Sequence, residues 1–332
     1  MKNMPIEMPG EVMLNYIRKI PEQIKNALEN QKNFLVLHDT QRIVFSGMGG
    51  SGIVGDVFSD IFLGTNKQIY SFHDYSIPSW FDEKTLIFII SYSGNTQETI
   101  SAYNAALKQK AKIVILCSGG NLLEIAKRDN VPVIMLPKGI PPRASFPYMF
   151  FSILTLLKKM GLIKGMDEDI KKTISVLSDN RIEKNAEILV DKIIGKIPLI
   201  YCSNTIKSVG YRWKTQFNEN AKIFAFTNYF PELNHNELEP FALNNPYFHT
   251  IILSDEEDEI RIKKTIETSK KYISKGNSVT QIMLKGKSRL AKIFYAIALG
   301  DFASTIYALK NNINPLPVNY IEEFKKELRK SK

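Results

Sequence analysis

Two glycine turns rich in hydroxyls carry the clearest chemistry in this chain. The apolar run Ile43-Val44-Phe45-Ser46 leads into Gly47-Met48-Gly49-Gly50-Ser51-Gly52, and the run from Leu86 to Ile90 leads into Ser91-Tyr92-Ser93-Gly94-Asn95-Thr96. At the carboxyl ends of parallel strands such turns open helices, whose first backbone N–H groups have no partner inside the helix. Those N–H groups, the bare backbone of Gly49 and Gly50, and the hydroxyls of Ser51, Ser91, Ser93 and Thr96 can converge on one anion. The chemistry is phosphate binding, with the cradle built twice.

A rival reading uses the same residues. Gly47, Gly49 and Gly52 spell G-x-G-x-x-G, and Asp74 stands about twenty residues further on, where a ribose-binding acid belongs in a nicotinamide-dependent enzyme. A dinucleotide needs only one such turn, whereas the second turn adds Ser91, Ser93 and Thr96, which suit a compact phosphomonoester. The plainest alternative is two tight turns with no ligand, yet two glycine-hydroxyl turns at neighbouring strand ends exceed what helix capping requires.

Four further side chains stand in settings worth weighing. Arg143 follows Gly139-Ile140-Pro141-Pro142, and two successive prolines fix the backbone and restrict where the guanidinium points. The alternative is an arginine capping a surface helix, but helix N-termini disfavour cations. Glu219 follows the helix-like segment Tyr211-Arg212-Trp213-Lys214-Thr215-Gln216-Phe217-Asn218, beside a strand expected to begin near Lys222. It reads as a solvated helix glutamate or, with Asn218 and Asn220 on its flanks, as part of a polar site. His235 lies in Pro231-Glu232-Leu233-Asn234-His235-Asn236-Glu237, where Glu237 and Glu239 could orient it; a lone histidine is as readily structural. Lys310 closes the helical pattern Ala291 to Leu309, where a cation also complements the helix dipole.

These residues need a scaffold of alternating strands and helices, and the pattern supplies one. After an amphipathic stretch from about Glu11 to Leu37, β-type runs occur at Arg42 to Ser46, Gln68 to Phe72, Thr85 to Ser91, Lys112 to Cys117 and Val131 to Leu136, with helical patterns between most of them. This predicts a doubly wound α/β domain. Beyond the Pro141-Pro142 break, Ala144 to Met160 reads as a long apolar helix, and the charge-rich span Lys164 to Lys184 as an inter-domain connection. Strands follow at Pro198 to Cys202, Lys222 to Phe226, His249 to Ser254 and Ser278 to Leu284, a second α/β unit whose first strand runs into Ser203-Asn204-Thr205. Its His249 to Ser254 strand meets Asp255-Glu256-Glu257-Asp258, and an acidic loop cannot cradle phosphate. The two halves have divided the labour.

Composition narrows the class. At 332 residues, 44% hydrophobic and 23% charged, the chain can bury a sizeable core and is neither disordered nor fibrous. No run approaches the roughly 18 apolar residues of a bilayer span, and Met1-Lys2-Asn3-Met4 leads into a polar segment, so a cytoplasmic protein off the membrane is expected. The net charge of +10 is spread along the chain among acids and marks no nucleic-acid face, although it favours a phosphorylated substrate. Cys117 and Cys202 end apolar runs and read as buried packing; the four histidines, His38, His73, His235 and His249, have no ligand spacing, so no metal is expected.

Taken in order, Gly47 to Gly52, Ser91 to Thr96, Gly139 to Ser145, Asn218-Glu219-Asn220 and Asn234-His235-Asn236-Glu237 resemble the bifunctional phosphoglucose/phosphomannose isomerases of the sugar-isomerase-domain (SIS) superfamily. The likeness runs from the N-terminal helices to Asn314-Pro315. It implies two flavodoxin-like SIS domains, residues 41–162 with the phosphate cradle and 186–312, joined by 163–185 and flanked by a helical segment 1–40 and a C-terminal helix 313–332. It also implies a homodimer that interconverts glucose 6-phosphate and mannose 6-phosphate with fructose 6-phosphate through a cis-enediolate, without metal or cofactor. Glu219 would move the proton, Arg143 hold the enediolate, His235 assist ring opening from the partner subunit, and Lys310 touch the sugar near its ring oxygen. Ser304 and Thr305 are candidates for the contact that admits mannose. A sensor that binds the sugar phosphate without turning it over would keep the cradle but make no use of Glu219 and His235; the first 40 residues show no clear helix-turn-helix of the kind such sensors carry. An amidotransferase partner domain would expect a glutaminase module ahead of the first unit.

Overall fold

The computed structural model describes residues 9–29 and 39–330. Helix α1 (Pro9–Arg18) and helix α2 (Ile20–Glu29) form the amphipathic start, burying Met13, Leu14, Ile17, Ile24 and Ala27 at helical spacing. The rest of that expected stretch, to Leu37, and His38 lie outside the described residues, as does the Met1-Lys2-Asn3-Met4 start.

The first unit is β1 (Arg42–Gly47), α3 (Gly49–Ile61), β2 (Gln68–Phe72), β3 (Thr85–Ile90), α4 (Gln97–Lys108), β4 (Lys112–Cys117), α5 (Asn121–Arg128) and β5 (Val133–Met135). Its sheet is wholly parallel in the order β2-β1-β3-β4-β5, the flavodoxin-like arrangement. Strands β1, β3 and β4 carry continuous apolar runs because both faces of the sheet there are covered by helices. In β1, Ile43 and Phe45 enter the main core while Val44 faces the opposite cluster. Strand order reverses between β1 and β3, and Gly47 lies opposite Ile90, so both hydroxyl-rich turns leave the sheet at one level.

A 3-10 turn, Pro142–Ala144, then leads into α6 (Phe146–Lys159), buried along most of its length. The span expected as a connection is itself helical, α7 (Asp167–Leu177) and α8 (Arg181–Ile193). Ile170, Ile182, Ala186 and Leu189 give these charged helices a narrow apolar stripe that joins the main core. The second sheet comprises β6 (Ile197–Ser203), β7 (Phe226–Phe230), β8 (Phe248–Ser254) and β9 (Ser278–Met283), parallel in the order β7-β6-β8-β9. Its helices are α9 (Lys207–Gln216) and α10 (Ile260–Ile273), followed by α11 (Arg289–Lys310) and α12 (Asn319–Lys330).

Two local expectations change. Glu219 is not at a helix end followed by a strand at Lys222: α9 passes into a π-helical turn, Phe217–Ala221, Lys222 takes a left-handed conformation (φ 57°), and β7 begins only at Phe226. Phe224 is 77% exposed, so the apolar run that mimicked a strand is partly surface loop. Contrary to the expectation about apolar runs, α11 is long and apolar enough by length and composition to cross a membrane; its apolar window is entirely buried inside the fold. It packs against α1, α7, α8, α9 and the π turn, and Phe294 stacks on Phe146. One continuous core thus joins both sheets.

Candidate active site

The two turns are tied by side chains before any ligand arrives. Ser51 Oγ accepts the Tyr92 N–H at 3.2 Å, Ser91 Oγ accepts the Gly94 N–H at 3.1 Å, and Ser91 and Thr96 hydroxyls share a hydrogen bond of 2.9 Å. Ser51 and Ser91 are buried, Thr96 is half-buried and Ser93 is exposed, so the hydroxyls line a slope from protein to solvent. Gly49 opens α3 at φ 53° with free space where a side chain would stand, which keeps the approach to the helix N-terminus clear. At Gly94 (φ 68°) an added Cβ would fall 1.8 Å from the Gly119 carbonyl oxygen; only glycine lets these backbones meet. Gly50 lies against the backbone of Arg143, where a Cβ would stand 3.1 Å from the arginine Cα and N.

That contact brings the cradle to the second group. Arg143 is 3% exposed, in the short turn that the two prolines set up. Its Nε donates to Asn220 Oδ1 at 2.6 Å, its Nη2 donates to the carbonyls of Pro315 and Leu316 at 2.5 and 3.1 Å, and its Nη1 lies 3.6 Å from Glu219 Oε2. Three neutral acceptors fix the guanidinium plane and leave one edge toward the carboxylate. Burial lowers the guanidinium pKa from its ordinary value, with Glu219 opposing that shift. The π turn sets this geometry by placing Glu219 and Asn220 together at the arginine, while Asn218 Nδ2 pins the turn by donating to the Ile223 carbonyl at 2.8 Å.

Behind the pair lies a buried polar network of which the sequence pointed only to Ser304 and Thr305. Asp301 of α11 accepts from Arg212 Nη2 and Gln216 Nε2, both at 2.7 Å, and Arg212 Nη2 also donates to the Arg143 carbonyl at 3.0 Å. Burial pushes the Asp301 carboxyl upward and Arg212 opposes it. Ser304 accepts the Asn220 amide at 3.0 Å; Thr305 donates to the Asp301 carbonyl of its own helix at 2.8 Å. Both hydroxyls are fully buried and engaged, so they act on Asn220 and on α11. Lys222, also missed, donates through Nζ to the carbonyls of Glu219 and Pro317. The available signal for the rest was Asp301, a carboxylate in the apolar middle of α11 one turn before Ser304.

Two expected residues stand elsewhere. His235 is exposed, in a 3-10 turn after the edge strand β7, and no hydrogen bond or ion pair joins it to Arg143 or Glu219 within the chain. Lys310 ends α11 in an ion pair with Asp191 of α8, and among the described residues no hydrogen bond or ion pair joins it to Arg143 or Glu219. Cys117 and Cys202 are buried free thiols, and burial raises the pKa of each.

The equivalent point of the second sheet is closed. The Ser208 N–H in the first turn of α9 donates to Asp60 Oδ2 of α3 at 2.8 Å, and Arg289 donates to the Asp60 and Thr205 carbonyls. The chain's own carboxylate occupies the helix terminus that a ligand anion would use. The acidic loop beyond β8 is tied down by buried Lys292, 2.6 Å from Asp255 and 3.0 Å from Glu257. The dinucleotide reading fares no better at the first sheet. Asp74 is exposed and accepts from the Tyr75 N–H, while the ring of His73 stands beside Gly47.

Comparison with known proteins finds a family model for each half of the chain. Residues 36–156 match the SIS domain family, and residues 182–328 match the bacterial phospho-glucose isomerase C-terminal SIS domain family. The chain is 38% identical to a bifunctional phosphoglucose/phosphomannose isomerase of Caldicellulosiruptor bescii, over 96% of this chain and 100% of the relative. It is 40% identical to the protein of that name in Thermoplasma acidophilum, over 86% and 89%. The crystal structure of a hypothetical protein from Thermus thermophilus superposes with a TM-score of 0.74 at 15% identity, covering 99% of this chain and 91% of that one, and attests the fold.

Proposed function

The chain belongs to the family of bifunctional phosphoglucose/phosphomannose isomerases, and from that premise we propose that it interconverts glucose 6-phosphate and mannose 6-phosphate with fructose 6-phosphate. The observation that carries the reading is the continuity from the phosphate cradle, through the Gly50–Arg143 backbone contact, to an arginine edge 3.6 Å from a carboxylate.

The phosphate at C6 binds the N–H groups and hydroxyls of Gly49, Gly50, Ser51, Ser91, Ser93 and Thr96, which leaves C1 and C2 toward Glu219. In the open-chain ketose the Glu219 carboxylate takes a proton from C1. The electron pair forms the C1–C2 double bond, and the negative charge develops on the former carbonyl oxygen. Arg143 Nη1 is the donor aimed at that charge; a single preorganised donor of this kind contributes on the order of 10²-fold or more in rate. The hydroxyl proton then passes from O1 to O2, which moves the charge to O1, and the C1 carbonyl forms as C2 takes up the proton. Because C2 is planar in the enediolate, addition to one face gives glucose 6-phosphate and to the other mannose 6-phosphate. Lys222, at the Glu219 carbonyl, is the second cation at this end. His235 opens the sugar ring from the partner subunit of a homodimer, consistent with its exposure at the edge of the second sheet. Lys310, held by Asp191, gains no support for a place at the ring oxygen.

Incubation with fructose 6-phosphate in the presence of a chelator should yield both aldose phosphates, with Glu219→Gln at least 10²-fold slower for both. Glucose 6-phosphate alone would narrow the specificity, and binding without turnover would leave a sensor.

A further inference from the structure

The mechanism above makes no use of His73, yet this ring is built into the floor of the phosphate cradle. It follows the last residue of β2, and because Phe72 pairs with Ser46 it lies level with Gly47 at the end of β1. Nδ1 is 2.8 Å from the Gly47 carbonyl oxygen, and Nε2 is 3.0 Å from each carboxylate oxygen of Asp56 on α3. A Cβ on Gly52 would stand 2.5 Å from Nδ1, so the ring fills the space under the turn. Gly47 and Gly52, the two ends of the glycine turn, thus rest on one imidazole.

A carbonyl and a carboxylate only accept, and an imidazole donates to both only when both nitrogens carry protons. In the neutral form with the proton on Nδ1 the bond to Gly47 survives, and Ser71 Oγ, 3.3 Å from Nε2, can donate to the vacated lone pair. That lone pair then faces the Asp56 carboxylate. From the elements packed on the ring, α3 supplies the Asp56 charge, β1 the Gly47 carbonyl and β2 the Ser71 hydroxyl.

We propose that His73, as an imidazolium clamped between Asp56 and the Gly47 carbonyl, is a positioning residue of the phosphate cradle that makes sugar-phosphate binding weaken as the ring loses its proton. The inference rests on the reading of residues 47–52 as the phosphate site. The hydrogen bond to Asp56 raises the imidazole pKa above its ordinary value and burial opposes it, which agrees with the geometry. The charge also lies against the turn that carries Gly49, Gly50 and Ser51, where a positive ring adds attraction for an anion that a neutral ring lacks. The side chains of His73 and Asp56 are 38% and 27% exposed, so the ring can exchange its proton with solvent.

The test is KM and kcat for fructose 6-phosphate from pH 6 to 9 in the parent, His73→Gln, Asp56→Asn and Thr96→Val, with the His73 ring titration followed by NMR. Glutamine keeps a donor for Gly47 without the charge. At pH 6, His73→Gln should raise KM roughly five- to tenfold, the scale of one charge acting across a partly solvated turn, with a smaller effect on kcat. The KM ratio of variant to parent cancels the ionisation of the substrate phosphate and should fall toward one as pH passes the ring midpoint seen by NMR. Asp56→Asn should move that midpoint, and the KM change with it, to lower pH. A pH-independent ratio, or equal losses in kcat and KM at every pH, would overturn the proposal while Thr96→Val still raises KM. If Thr96→Val leaves KM unchanged, the cradle reading fails and takes this inference with it. Should His73→Gln not fold, parent and Asp56→Asn still decide, since unequal ring midpoints with superimposable KM profiles would refute it.

Discussion

Arg143 is an arginine at the start of a helix and nearly out of water, and a cation there is costly unless each N–H finds an acceptor. Asn220, Pro315 and Leu316 supply those acceptors, and Glu219 supplies the counter-charge. Asn220 is fixed in turn by Ser304, so the direction of the arginine edge is set from α11. Removing the amide in Asn220→Ala leaves a buried N–H unpaired and the guanidinium free to tilt. We expect kcat for fructose 6-phosphate to drop roughly ten- to a hundredfold, the cost of one unsatisfied buried donor, while KM changes little. Steady-state kinetics decides this, and a KM rise at unchanged kcat would place Asn220 in substrate binding instead. Arg143 was legible in the sequence because Pro141-Pro142 constrains it locally. Its acceptors were not, because they lie 77 to 173 residues away along the chain.

At the scale of elements, the two parallel sheets present the same strand-turn-helix device and use it differently. The α3 N-terminus stays open beneath Gly49, whereas the α9 N-terminus is filled by Asp60. Burial raises the Asp60 carboxyl to about 6 despite its bond to the Ser208 N–H. The folded state therefore holds this proton more tightly than the unfolded chain, whose aspartate titrates near 3.9. The stabilisation is complete below about pH 4 and is lost as pH rises to about 6, a loss of up to about 3 kcal/mol. Asparagine retains an oxygen for Ser208 and carries no charge. The Tm of the parent should fall relative to that of Asp60→Asn between pH 4 and 6, and the difference should level off above; parallel Tm curves would contradict the assignment. The sequence showed the second turn and its acidic neighbour but not the plug, since nothing near Ser208 points to α3.

For the whole molecule, α11 is the shared wall: it closes the core between the two sheets and carries Asp301 and Ser304 to the rear of the site. A single chain holds the cradle, Arg143 and Glu219, while His235 projects from the edge of the second sheet. If that histidine serves the partner's site, Glu219→Gln and His235→Ala dimers, each inactive, should complement when subunits are exchanged. A heterodimer then has one intact and one doubly altered site, so equal mixing should recover roughly a quarter of parental activity, given statistical pairing in a twofold dimer. Activity that stays at the level of the unmixed variants would assign both residues to the same subunit's site.

What is local could be read along the chain: the apolar runs of the inner strands, the glycine and hydroxyl chemistry of the turns that follow them, the proline approach to Arg143, and the short motifs through which the family is recognised. Each of these depends on neighbours within a few positions, and local sterics and hydrogen bonding decide them. Packing alone set Glu219 on a π-helical turn, gave the short bond to Arg143 to Asn220 and not Glu219, paired Lys310 with Asp191, and placed the His73 ring against the Gly47 carbonyl and the Asp60 carboxylate at the α9 N-terminus. Those outcomes depend on how α3, α9 and α11 pack against one another, and buried polar groups take whichever partner that packing leaves within reach.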